Sequence, residues 1–82
     1  MNIVKKYTVM DDYTIWIRFE DGFEGAVYLK SLLSKGIGIE LLNAGAFAKV
    51  SIASGGGLTW ENGFDICLNS LREIAEAKLH AA

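Results

Sequence analysis

Eighty-two residues leave room for one small domain, residues 1–82, with a thin core, because a chain this short buries only about two-thirds of its unfolded surface. A hydrophobic share of 51% against 22% charged excludes a disordered chain. The net charge of -2 gives no footprint for nucleic acid, and Lys5 with Lys6 is too small a cluster to reverse that.

Other classes fall to simple tests. No stretch approaches the roughly 20 apolar residues that span a bilayer, so no membrane association is expected. Met1-Asn2-Ile3-Val4-Lys5-Lys6 lacks the basic-then-apolar order of a signal peptide. Cys67 is the one cysteine, which rules out an internal disulfide and a cysteine zinc site. A reducing cytoplasm is the expected location.

Residues 2–10 read as a first strand, with Ile3, Val4, Tyr7, Val9 and Met10 apolar and Asp11-Asp12 supplying the turn. The stretch from Tyr13 to Leu29 is the strongest local signal. Two runs rich in β-branched and aromatic residues flank an Asp-Gly pair, the mark of a hairpin. A two-residue loop would leave both faces mixed. A three-residue loop, Glu20-Asp21-Gly22 with Gly22 left-handed, pairs Phe19 with Phe23, Ile17 with Gly25 and Ile15 with Val27, giving one apolar face. The other face then pairs Arg18 with Glu24, Trp16 with Ala26 and Thr14 with Tyr28. The second register is predicted, and it makes Gly22 structural.

Leu29, Leu32 and Leu33 stand at helical spacing, predicting a short turn ended by Lys35-Gly36. Residues 36–48 read as a loop with one or two helical turns, its apolar members folded back on the sheet. Lys49 to Ala53 alternates as a strand, with Val50 and Ile52 on one face. Ser54-Gly55-Gly56-Gly57 is expected to be a flexible turn into Leu58-Thr59-Trp60. Asn62-Gly63 predicts a second tight hairpin with a two-residue loop, returning through Phe64-Asp65-Ile66. A helix follows from Asn69 or Ser70 to about Leu79, with Leu71, Ile74, Ala75, Lys78 and Leu79 as its apolar stripe. Ser70 and Glu73 are spaced for a capping box, Asn69 is the competing N-cap, and His80-Ala81-Ala82 is expected to fray. The order aromatic, Glu, Asx, Gly, Phe occurs twice, at Phe19–Phe23 and Trp60–Phe64, and shared turn chemistry explains it without duplication.

These segments carry a family likeness. Phe19-Glu20-Asp21-Gly22, Leu29 to Leu33, Leu41 to Phe47, Val50, the string Trp60-Glu61-Asn62-Gly63-Phe64-Asp65, and Leu71 together resemble a family of short bacterial proteins, domain-of-unknown-function family 2442. The likeness covers nearly the whole chain, and the tryptophan, Asn-Gly, Asp string is its most specific part. It implies an α+β domain with a curved antiparallel sheet and a C-terminal helix. In some relatives such a domain is joined to a helix-turn-helix module. In others its gene lies beside a second short protein, as in toxin–antitoxin pairs. This chain departs from the likeness at Cys67-Leu68, where relatives usually carry a capping residue and a proline. No appended DNA-binding segment is expected, so a regulatory role would need a partner. The family has no established catalytic residue to carry over.

The residues themselves assemble no obvious chemistry. Asp65, Glu61 and Asp21 would make an oxygen-only cluster suited to magnesium or calcium. The favoured reading instead has Asp65 accepting bonds from turn or helix-terminus N–H groups. Cys67 and His80 lack a third group to orient the imidazole, and a free cysteine is more often a small core residue. The glycine run lacks the lysine and the following helix of a phosphate loop. Trp16 and Tyr28 point away from the Ile15-Ile17-Phe19 face. Coverage of that second face by the C-terminal helix is expected, an exposed contact patch being the other arrangement.

The expected fold is α+β: a small curved antiparallel sheet of about five short strands with the C-terminal helix packed on it. The expected function is a non-catalytic cytoplasmic interaction module without cofactor or metal, the antitoxin-like half of a two-gene pair being its specific form. Its partner would be another small protein, with a sheet edge left for a homodimer and no direct nucleic-acid contact. Candidate binding residues are Trp60, Glu61, Asn62, Asp65, Trp16 and Tyr28. The alternative is a small-molecule or divalent-metal-binding domain using the carboxylates.

Overall fold

A computed structural model describes residues 3–80, with the side chains of residues 78–80 outside the description. Lys78 and Leu79 as stripe positions, and fraying at His80-Ala81-Ala82, therefore lie outside the described residues. Strands β1 (Val4–Val9), β2 (Thr14–Phe19) and β3 (Glu24–Tyr28) form one antiparallel sheet in that order. Strands β4 (Val50–Ile52), β5 (Leu58–Trp60) and β6 (Asp65–Ile66) form a second, also in chain order. Between them lie 3-10 turns at Lys30–Leu33 and Gly36–Leu42 and the short helix α1 (Ala44–Phe47); α2 (Leu68–His80) ends the described chain.

The α+β class is as expected, but the single sheet of about five strands is replaced by two sheets of three. The cause lies in β1 and in the connection after β3. Register shifts between Val4 and Lys6, a bulge that bends the start of β1 while Val4 stays paired with Phe19. The Val4 N–H there donates to Gly56 O at 2.9 Å, and the Tyr7 hydroxyl donates to Val50 O at 2.8 Å. These are point contacts between sheets, not a shared ladder. Residues 30–47 meanwhile coil over the core, burying Leu33, Leu41 and Phe47, so β3 and β4 are never brought side by side.

The first hairpin has the predicted register throughout: Ile15 faces Val27, Ile17 faces Gly25, Trp16 faces Ala26 and Arg18 faces Glu24. Gly22 sits at φ 92°, donates its N–H to Phe19 O at 3.0 Å, and Asp21 Oδ1 accepts the Phe23 N–H at 3.1 Å. The second hairpin repeats this geometry and corrects the expected two-residue loop to three residues. Gly63 has φ 94° and donates to Trp60 O at 3.0 Å, while Asn62 Oδ1 accepts the Phe64 N–H at 3.0 Å. Trp60 and Phe64 pack as a cross-strand pair, as Phe19 and Phe23 do.

The apolar face of the first sheet, with Ile15, Ile17, Phe19 and Val27 buried, turns toward Val50, Leu58, Trp60 and Ile66 of the second sheet in one continuous core. Helix α2 packs on this same face. Its Leu71 and Ala75 are buried, and a methyl group built on Gly25 would lie 3.8 Å from Ala75 Cβ, so the helix rides directly over the glycine. The helix therefore does not cover Trp16 and Tyr28, contrary to expectation. Its apolar stripe, Leu71 and Ala75 with Leu68 and Ile74 at the margin, faces this one side.

Other details at the second sheet and the start of α2 also differ from the sequence reading. Cys67 accepts the first helical bond, from the Leu71 N–H at 3.1 Å, so Cys67 is the N-cap and neither Asn69 nor Ser70 is. Ser70 lies inside the helix with its hydroxyl 3.2 Å from Cys67 Sγ, and no Ser70–Glu73 capping box forms. Val50 and Ile52 share a face, yet only Val50 is buried, because β4 ends at Ile52 beyond the cover of the core. Finally, the Ser54–Gly57 segment is a packed turn rather than a loose one. Gly56 and Gly57 are buried, and the Ala53 N–H donates to Gly57 O at 2.8 Å.

Arg72 ties the helix to the tip of the first hairpin. Its guanidinium lies 4.1 Å from the Phe23 ring centroid and 5.0 Å from that of Phe19, and pairs with Asp21 at 3.1 Å and Glu76 at 2.6 Å. The hydrogen bond from Arg72 holds the Asp21 carboxyl below the usual carboxylate range. A carboxyl lowered in the folded state stabilises above its unfolded pKa, and that contribution disappears as pH falls through the folded value. Arg72→Ala is therefore expected to lower Tm at pH 7 by a few degrees, and thermal melts at pH 2 should show a smaller gap from the parent chain. A gap that does not change with pH would mean that stacking alone ties the helix down.

Candidate functional site

One feature unused by the core is the outer face of the β1–β2–β3 sheet. Side chains of a strand alternate between faces, so burial of Ile15, Ile17 and Val27 forces Thr14, Trp16, Ala26 and Tyr28 outward. Pairing aligns them in rows: Lys6–Arg18–Glu24, then Thr8–Trp16–Ala26, then Thr14–Tyr28, with Met10 beside Thr14 just past β1. Tyr28 is 45% exposed and Met10 49%, while Trp16 is half-buried among its neighbours. No described element packs over this face. Arg18 Nε stands 3.8 Å from Glu24 Oε2, a solvated pair that leaves both groups reachable. The surface is thus an aromatic and methyl-bearing centre bounded on one side by a charged row.

The other candidates are dispersed. Trp60 is 3% exposed: its indole N–H donates to Phe47 O at 2.8 Å and its ring packs between Phe47 and Phe64. It belongs to the core and offers no surface to a partner. Asn62 Nδ2 donates to Ile37 O and to Glu40 Oε1, each at 3.0 Å, which fastens the second hairpin to the 3-10 segment. Glu61 is exposed beside it, and both line an open cleft of about 510 Å³ with Glu40 and Lys49. Asp65 is exposed on β6 opposite Thr59 and borders a different hollow, against Phe64 and Ile74.

The carboxylates of the metal-binding alternative are likewise apart. Asp21 is held by Arg72 at the first hairpin, whereas Glu61 and Asp65 line separate hollows. Among the described residues no group of three or more His, Cys, Asp and Glu side chains is placed to hold a metal ion. The twin turns also explain why one carries Asp and the other Asn. The first must present a negative charge to Arg72, the second must donate through an amide.

Arg72 and the cap at Cys67 are the polar elements that the sequence did not disclose. Arg72 and Asp21 are 51 positions apart, and no local pattern joins them. Cys67 is exposed, and its thiol pKa is lowered, chiefly by the Ser70 hydroxyl and then by the Ser70 N–H, as a helix N-terminus favours an anion. The one signal for it was the departure from a capping residue at that position.

Fold and surface together define a small α+β domain of two three-stranded antiparallel sheets, closed by a C-terminal helix and open on one aromatic sheet face. The chain belongs to the family described as Protein of unknown function (DUF2442), whose model matches residues 4–77. No curated protein and no solved structure matches it. Among the described residues no helix is long and apolar enough to cross a membrane.

Proposed function

We propose that the protein is a non-catalytic interaction module of the bacterial cytoplasm, and that its partner, another small protein, seats on the outer face of β1–β2–β3. The antitoxin-like member of a two-gene pair is the specific form of this reading. The observation that supports it is the uncovered Trp16–Tyr28 centre with Met10 alongside. A sheet face with no cover normally carries alternating polar side chains. Tryptophan and tyrosine are instead the residues that dominate binding energy at protein interfaces, since each buries a large rigid area at little entropic cost. The free edges of β1 and β3 border the same surface and can extend the contact by strand addition.

Co-expression with the product of the adjacent gene tests the proposal. A complex is expected to co-purify, and Trp16→Ala or Tyr28→Ala should weaken it by tenfold or more, as interface anchors do. The Tyr28 variant should melt with the parent chain, because its ring faces solvent. Failure to form a complex, or a complex indifferent to both substitutions, would remove the reading.

A further inference from the structure

A second surface stands apart from the sheet face. Between the 3-10 turn Lys30–Leu33, the β5–β6 hairpin and α2 runs a hollow of about 590 Å³, open to solvent. Leu32, Phe64 and Ile74 form its apolar floor; Leu32 is 40% exposed, and Phe64 and Ile74 are only half-buried. Asp65 and Glu73 stand exposed on its rim, and no lysine or arginine lines it. Neither acid pairs with a cation among the described residues, whereas Arg18 and Arg72 are already engaged elsewhere.

We infer that this groove docks a segment of another protein that presents one or two large aliphatic side chains flanked by lysine or arginine. Charge complementarity selects this occupant. An anchor entering the groove removes Leu32, Phe64 and Ile74 from water, and a basic flank gives Asp65 and Glu73 cationic partners that they do not have among the described residues. An acidic flank would add like charges to the rim, and a second copy of this chain carries a net charge of -2. The open shape suits a peptide laid along it better than an enclosed small molecule. This surface extends the module described above without depending on the sheet face.

Cys67 lines the same groove and is exposed, which gives the test a direct reporter because the chain has one cysteine. Three helix-forming synthetic peptides would be titrated into the intact protein: one of leucine and lysine, one of leucine and glutamate, and one of lysine and serine. Anisotropy should show the leucine–lysine peptide binding at least tenfold tighter than either other, and its saturation should slow alkylation of Cys67 at least tenfold. The double variant Asp65→Asn, Glu73→Gln should weaken that peptide about tenfold and remove most of its salt dependence. Leu32→Ser should weaken it as well. These side chains are exposed, so all three substitutions are expected to leave melting unchanged. Equal affinity for the lysine–serine peptide, an unaltered alkylation rate, or indifference to the variants would each overturn the inference. Protection of Cys67 that rises with protein concentration in the absence of peptide would also overturn it, by making a second copy the occupant.

Discussion

Gly57→Ala is expected to cost about 3 kcal/mol or more, the upper part of the range for forcing a methyl group into filled space. The added Cβ would lie 2.3 Å from Ile66 O, 3.0 Å from Leu68 N and 3.2 Å from Cys67 C. All three are backbone atoms at the junction of β6 and α2, so relief requires moving the start of the helix rather than turning a side chain. For a domain of this size total stability is of the order of 4–12 kcal/mol, and the substitution removes a large part of it. Gly55→Ala is the matched control. Nothing lies within 4 Å of its Cβ position, and its stability should stay within about 0.5 kcal/mol of the parent chain. Urea denaturation of the pair measures the difference. Equal midpoints would mean that the glycine run is a loose loop after all.

Trp60→Ala is expected to be of similar size, about 3–5 kcal/mol, because a buried indole leaves both its apolar contacts and a cavity. Trp60 ties the second hairpin to α1 by packing on Phe47 and Phe64, and its N–H satisfies Phe47 O at the end of α1. Trp60→Phe keeps most of the packing but orphans that carbonyl, for an expected loss of about 1–3 kcal/mol. A residue kept for partner contact would behave in the opposite way, with stability unchanged and binding lost. Urea midpoints for the two variants therefore separate a core role from a surface role.

How much of this was legible depended on whether the deciding interactions were local. The first hairpin was readable because one choice of loop gathers Ile15, Ile17, Phe19, Phe23, Gly25 and Val27 on one side, and the structure puts them there. The same test applied to the second hairpin favours three loop residues, since only then does Trp60 meet Phe64. Asn-Gly taken alone pointed to a shorter turn. Strands as short as β4, β5 and β6 contain too few residues to declare which neighbour they join, so the division into two sheets was hidden. It follows from the β1 bulge and the coiled path of residues 30–47, neither of which has a periodic signature.

The candidate site was half legible. Register alone put Trp16 and Tyr28 on the second face, but whether α2 covers that face is a tertiary choice. The structure decides it by packing Leu71 and Ala75 of α2 on the buried side, with Ala75 beside Gly25. Trp60 lay in a string that looked like a surface motif because its turn residues are exposed, while the ring beneath them is not. The pairing of Arg72 with Asp21 crosses 51 positions and could be seen only in three dimensions.

Acrylamide quenching of tryptophan fluorescence tests the central claim most directly. In the free protein one quenchable component is predicted, absent from a Trp16→Phe variant and therefore belonging to Trp16, with Trp60 shielded. Binding of the adjacent-gene product should protect that component. A Trp16 signal already shielded in the free chain, or equally quenched with and without the partner, would contradict the account.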